Sequence, residues 1–141
     1  MKTTIGIFDF DMTTAVTVAK ETPSLSQFRD VEYATTDILN ARPTKLTSRM
    51  MQYKGLYILT ARDSGRGAMR KAMQRFFLHH GVYVPSSNII MVGDYSGETH
   101  IKKSVMLTRL AKRYGRVDFF DDDSRNVEVA SKISGVRSHE A

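Results

Sequence analysis

The sequence predicts an α/β domain built on a doubly wound parallel sheet, and three observations carry that expectation. Short apolar runs recur along the chain, separated by longer stretches whose apolar residues repeat every three or four positions. Those runs are continuous rather than alternating, as strands covered on both faces require. Three of the helical stretches stop beside a glycine, at Gly55, Gly81 and Gly115.

Taken in order, Thr4–Phe10 (TIGIFDF) is a strand rich in Ile and Phe. Pro43–Tyr53 is a helix with proline in its first turn. Leu56–Ala61 (LYILTA) is the second strand, and Arg66–His80 a helix with Met69, Met73, Phe76 and Phe77 on one face. Asn88–Val92 (NIIMV) is the third strand. The following helix, Thr99–Tyr114, turns Ile101, Val105, Leu107, Leu110, Ala111 and Tyr114 towards a core. Val117–Phe120 (VDFF) is the fourth strand, Ser124–Ile133 a last helix with Ser124 as N-cap, and Val136–His139 a short edge strand. The segment Thr14–Gly55 is modest and largely helical, so little roofs the sheet. No repeat, linker or low-complexity tract divides residues 1–141, which read as one domain.

A chain of 141 residues can bury a substantial core. It has no cysteine, which excludes disulfides and thiolate metal sites and suits a reducing cytoplasm. Asp9 and Asp11 interrupt the first apolar run, which is too short for a secretory signal, and no later run is long enough for a membrane span. A soluble cytoplasmic protein with no membrane partner is expected. The net charge of +6, from 21 Lys+Arg against 15 Asp+Glu, attracts polyanions without specifying one.

Right-handed crossovers point all the strands one way, and ligands of open α/β sheets bind beyond their carboxyl ends. The first strand delivers Asp9-Phe10-Asp11-Met12-Thr13 to that edge, and the second Thr60-Ala61-Arg62. The helix after the third strand carries Lys102 and Lys103, and the fourth strand ends in Asp121-Asp122-Asp123. Each group alone is an ordinary strand end, charged helix face or acidic turn. All four in this order make a candidate site.

This set resembles the haloacid dehalogenase (HAD) superfamily of phosphatases, whose four motifs are D-x-D-x-T, a strand ending in Thr or Ser, a helix lysine and paired acids. Here they read IGIFDFDMT, LYILT, the Lys102 region and VDFFDDD, spanning Thr4 to about Val129. Among its branches, the 3′-phosphatase domains of polynucleotide kinase-phosphatases are the most similar. Thr60-Ala61-Arg62-Asp63-Ser64-Gly65 resembles their S-G-R-E-S-G, and Asp121-Asp122-Asp123-Ser124-Arg125-Asn126-Val127-Glu128 resembles their D-D-R-x-x-x-V-E. Many relatives have Gly where this chain has Met12. A kinase half would need a G-x-x-x-x-G-K-[ST] loop, which is not present.

The resemblance implies a HAD-like Rossmannoid fold with a minimal cap or none, and Mg²⁺ as cofactor. It implies Asp9 as nucleophile, Asp11 as general acid and base, Thr60 on a phosphoryl oxygen, and Lys102 as the added positive charge, with Lys103 the alternative. The implied metal ligands are Asp9, the Asp11 backbone carbonyl, and Asp121 or Asp122. Backbone amides after Asp11 complete the phosphate cradle, and Thr13 and Arg62 hold substrate. Read on its own residues, Arg62 is equally a surface arginine pairing with Asp63 or Asp94.

The implied substrate is a terminal phosphate, 3′ in the first instance, on DNA or RNA, with a separate kinase or ligase as partner. Arg66, Arg70, Lys71, Arg75, Arg109, Lys112, Arg113 and Arg116 suit a phosphodiester backbone, or are two solvated helix faces. The alternatives are a nucleotide or small-metabolite phosphatase, and a non-catalytic nucleic-acid-binding protein that kept the fold. His79 and His80 are expected to complement a helix end rather than bind metal.

Overall fold

The computed structural model describes residues 4–17, 31–65 and 67–141. Five parallel strands form the central sheet, in the order β5-β4-β1-β6-β7. They are β1 (Ile5–Phe8), β4 (Gly55–Thr60), β5 (Ile89–Met91), β6 (Val117–Asp121) and β7 (Val136–Glu140). A two-stranded antiparallel pair, β2 (Ala15–Val16) and β3 (Arg42–Pro43), lies beside it. The helices are α1 (Val31–Leu39), α2 (Lys45–Arg49), α3 (Ala68–His79), α4 (Thr99–Tyr114) and α5 (Ser124–Ser131).

β1 lies at the centre because both its edges are paired, Ile5 standing opposite Gly55 on one side and Val117 on the other. The chain builds outward from β1 through β4 to β5, then returns to place β6 on the free edge. That reversal is the topological switch point, and it opens a crevice beyond the ends of β1 and β6. The Asp9 amide donates to the Phe120 carbonyl at 2.9 Å, which carries the pairing up to the crevice itself.

Alternate strand residues enter opposite cores, as the pleat dictates. Phe8, Ile58 and Phe120 pack with Ile38, Met50, Met73 and Phe77 on one face. Ile7, Leu59 and Phe119 pack with Leu107, Ala111 and Ala130 on the other. The predicted stripe of α3 is buried in full, as Met69, Met73, Phe76 and Phe77.

Four local expectations change. Pro43 belongs to β3, not to a helix, because it pairs with Ala15 in extended backbone. Thr44 then starts α2, accepting from Leu46 N and closing a capping box with Thr47. Asp123, rather than Ser124, caps α5, its carboxylate accepting the Arg125 amide. Ile101 and Val105 are 52% and 45% exposed, because the buried stripe of α4 is Lys103, Leu107, Leu110 and Ala111. The predicted start of the α3 helix at Arg66 lies outside the described residues. Among those residues, no helix is long and apolar enough to cross a membrane.

Candidate functional site

The turn after β1 decides where the first two aspartates point. In a continuing strand Asp9 and Asp11 would share a face. Instead the Phe10 carbonyl accepts the Thr14 and Ala15 amides at 3.1 Å, and Met12 adopts φ 62°. The reversal sends Asp9 towards β6 and Asp11 towards β4.

On the β6 side, carboxylate oxygens of Asp9, Asp121 and Asp122 lie within 4.8 Å of one another, a set that could hold a metal ion. Three hard oxygen donors of this kind suit Mg²⁺. Lys103 Nζ joins them, donating to Asp9 Oδ1 at 2.9 Å and Asp121 Oδ2 at 2.8 Å. Asp121 is held further by the Asp123 amide at 2.9 Å and Asn126 Nδ2 at 3.0 Å. Thr13 closes the group. Its hydroxyl lies 2.9 Å from Asp9 Oδ2 and accepts the Asp122 amide at 3.0 Å, tying the β1 and β6 loops together.

This cluster is nearly sealed, with Asp9 at 6% and Lys103 at 2% exposure. Burial, helped by the Asp121 carboxylate, pushes Asp9 from 3.8 up to about 8, against the pull of Lys103. Burial alone would lower the Lys103 ammonium, but Asp9 and Asp121 outweigh it and raise it above the ordinary lysine value. The protein's own charges thus leave Asp9 short of positive partners, a deficit a divalent cation would fill.

On the β4 side, Arg62 grips Asp11 in a fork, Nε to Oδ2 at 2.9 Å and an Nη to Oδ1 at 2.8 Å. The same guanidinium reaches Asp37 of α1 at 3.2 Å. Burial works against the Arg62 charge, and the two carboxylates more than restore it. Thr17 donates to the same Asp11 carboxylate. Thr60 is fully buried at the end of β4, its hydroxyl accepting the Arg62 amide at 3.2 Å. Gly93 allows the β4 and β5 loops to touch, since a Cβ there would stand 2.5 Å from the Ala61 carbonyl oxygen. A cleft of about 420 Å³ opens here, lined by Asp11, Ala61, Arg62, Asp63, Gly93 and Lys102.

Several expectations move accordingly. Lys103, not Lys102, meets the acids; Lys102 Nζ donates to the Tyr95 carbonyl at 2.8 Å and lines the cleft instead. Adjacent helical residues diverge by about 100°, so only one of the two can face the sheet. Arg62 pairs with Asp11 and Asp37 rather than with Asp63 or Asp94, which accept the Gly65 and Ser64 amides. The Thr13 hydroxyl braces the loops, and the Met12 and Thr13 amides already donate to the Ala15 and Phe10 carbonyls. The Asp11 side chain stands outside the group of three acids; the expected contribution of Asp11 was its carbonyl.

Asp37, Asn126 and Gly93 were missed. Asp37 carries a signal in retrospect, a charge between Ala34 and Ile38 on the buried face of α1. Of the basic residues expected to hold a phosphodiester backbone, Arg66 lies outside the described residues. Lys71, Arg75, Arg109, Lys112, Arg113 and Arg116 are exposed, and Arg70 donates to the Ile89 carbonyl at 3.0 Å. His79 and His80 end α3 as expected.

No family model matches the chain, and no curated protein matches it. Among solved structures, a chain of the Pnkp1/Rnl/Hen1 RNA repair complex shares the fold, with a TM-score of 0.68 at 15% identity. The match covers 99% of this chain and 42% of that one, so this chain spans less than half its neighbour's length.

Proposed function

We propose that the protein is a Mg²⁺-dependent HAD-type phosphomonoester hydrolase that removes terminal phosphate, 3′ in the first instance, from DNA or RNA ends. The observation that carries the reading is the convergence of Asp9, Asp121 and Asp122 from the ends of two separate strands, with the buried Lys103 joining Asp9 to Asp121. A chain with only a structural or binding role has no need of two buried carboxylates on one ammonium with a third carboxylate beside them, since burying unbalanced charge is costly. The four resembling motifs supply the reaction class. The shared fold with a chain of an RNA repair complex supports a nucleic-acid end as substrate.

In this reading an Asp9 carboxylate oxygen attacks phosphorus and the ester P–O bond breaks, giving an aspartyl-phosphate and a free hydroxyl. Asp11 protonates the departing oxygen, then takes a proton from the water that hydrolyses the intermediate. Asp9, Asp121 or Asp122 and the Asp11 carbonyl would hold Mg²⁺. An ion held by these residues would offset the phosphoryl charge and polarise a phosphoryl oxygen. Lys103 adds fixed positive charge to the same centre, and Thr60 a hydroxyl. Arg62 must loosen its grip for Asp11 to carry a proton, and phosphate oxygens entering the cleft compete for the guanidinium fork. A separate kinase or ligase would complete end repair.

The test is phosphate release from a 3′-phosphorylated oligonucleotide with Mg²⁺, compared with 5′-ends, mononucleotides and p-nitrophenyl phosphate. Brisk release from mononucleotides alone would make this a nucleotide phosphatase instead. Asp9→Asn is expected to lower turnover by at least about a thousandfold while oligonucleotide binding persists. Unchanged hydrolysis in that variant removes Asp9 as nucleophile.

A further inference from the structure

Beyond the β6 side of the acid cluster lies a second cleft, of about 530 Å³, whose lining includes Thr13, Lys45, Arg49, Phe120, His139 and Glu140. It adjoins the reacting centre through Thr13, a lining residue whose hydroxyl is 2.9 Å from Asp9 Oδ2. Lys45 and Arg49 stand one helical turn apart on α2, both exposed. Their helix is fixed to the site loop, Thr44 donating to the Thr13 carbonyl and Thr47 to the Thr14 carbonyl, each at 2.6 Å. The Arg49 guanidinium lies 5.9 Å from the centroid of the Phe120 ring. The His139 imidazole stacks on the same ring, with centroids 4.7 Å apart and planes at 18°. The arginine and the imidazole are therefore held in place by one aromatic platform before any ligand arrives. Glu140 is the one acidic side chain among the lining residues.

Resting on the reading above, we infer that this cleft holds the sugar-phosphate backbone of a polynucleotide strand, with Lys45 and Arg49 on a phosphodiester next to the terminal phosphate. Three exposed cations of α4 are poorly placed for this. Arg109, Lys112 and Arg113 lie six to ten residues beyond Lys103 along α4, roughly 9–15 Å of helix rise further from the site. A mononucleotide has no second phosphate to reach α2, whereas a strand has one at every step. The cleft therefore distinguishes polymer from monomer.

The experiment compares the wild type with Lys45→Ala/Arg49→Ala in two assays. In the first, kcat/KM is measured on a 3′-phosphorylated oligonucleotide and on p-nitrophenyl phosphate, across a salt series. The expected result is a loss of about tenfold or more on the oligonucleotide at low salt. The salt dependence becomes shallower by about 0.7 in log-log slope, for one phosphate contact on a single strand. Turnover of p-nitrophenyl phosphate stays within about twofold, which reports an intact fold, and the charge-conserving Lys45→Arg/Arg49→Lys restores oligonucleotide turnover. Equal losses on both substrates, or none on either, overturn the assignment. The second assay, fluorescence anisotropy of an unphosphorylated oligonucleotide, needs no catalysis. If the wild type hydrolyses nothing yet the double variant binds the strand tenfold more weakly, the phosphatase reading fails and the cleft stands. If the two proteins bind it alike, the cleft assignment fails whatever the activity.

Discussion

Two charged clusters flank the loop after β1, and they solve the burial of carboxylates in opposite ways. On the β4 side two carboxylates share one guanidinium, which meets both through directed hydrogen bonds. On the β6 side two carboxylates, Asp9 and Asp121, share one ammonium with a third, Asp122, close by, and burial drives Asp9 up to about 8. The first arrangement is nearly self-sufficient, a clamp that sets the direction of Asp11. The second has more carboxylates than cations among its close partners, a set that could hold a metal ion. The same residue types therefore give a positioning device on one side and, on the other, a set of acids that could serve as a cation trap.

The strongest way to break this contrast is to remove the single ammonium. Lys103→Met strands Asp9 and Asp121 without their cation in a sealed crevice, and is expected to cost about 3 kcal/mol of stability without metal. Phosphate release is expected to fall by about a hundredfold. Lys102→Met removes an equal charge one residue away and is expected to leave stability within about 0.5 kcal/mol, since Lys102 donates only to the Tyr95 carbonyl. Urea titrations and p-nitrophenyl phosphate assays of both variants measure the difference. Equal effects would mean that the two lysines are interchangeable charges and that the buried geometry is irrelevant.

That pair of lysines also marks the limit of what could be read from sequence. The parallel sheet was legible because continuous apolar runs leave few alternatives, and the acids were legible because strand ends must gather at one edge. The choice between Lys102 and Lys103 was not, because the resemblance left both open, and counting Ile101 and Val105 into the core turned the helical stripe away from the face that would have decided it. Stepping back four residues from Leu107, which is fully buried, lands on Lys103. Asp37 and the Pro43 pairing were hidden for another reason. Both depend on partners distant in sequence, Arg62 and Ala15, that local periodicity cannot supply.

A gentler way to sharpen the contrast is to titrate the cation trap. A carboxylate whose folded pKa lies above its unfolded value binds more protons when folded, so its contribution to stability is lost as pH rises through that interval. In chelator, Asp9 should make the protein progressively less stable from about pH 4 to about pH 8. Mg²⁺ at a hundred times its dissociation constant should restore about 2.7 kcal/mol near neutral pH and flatten the profile. Asp121→Asn should abolish most of that gain. Thermal melts with chelator and with Mg²⁺ at each pH decide it, and a metal effect that survives Asp121→Asn would place the ion elsewhere.

The smallest expected effect falls on the residue that separates the two clusters. Met12 holds φ 62°, a left-handed conformation that costs a side-chain-bearing residue about 1–2 kcal/mol, and its amide donates to the Ala15 carbonyl at 2.7 Å. That reversal sends Asp9 one way and Asp11 the other. Met12→Gly relieves the strain but loosens the unfolded chain, so the two changes oppose each other and the net shift should stay within about 1 kcal/mol. Activity should change little, because the turn itself persists. Met12→Val keeps the chain length but adds a branch at Cβ, which the left-handed region tolerates poorly. It should cost a further 1 kcal/mol or so, and lower activity through misplaced carboxylates at the trap and the clamp together. A valine variant that melts lower yet retains full turnover would show that the turn contributes stability alone, and that the two aspartates find their separate partners without it.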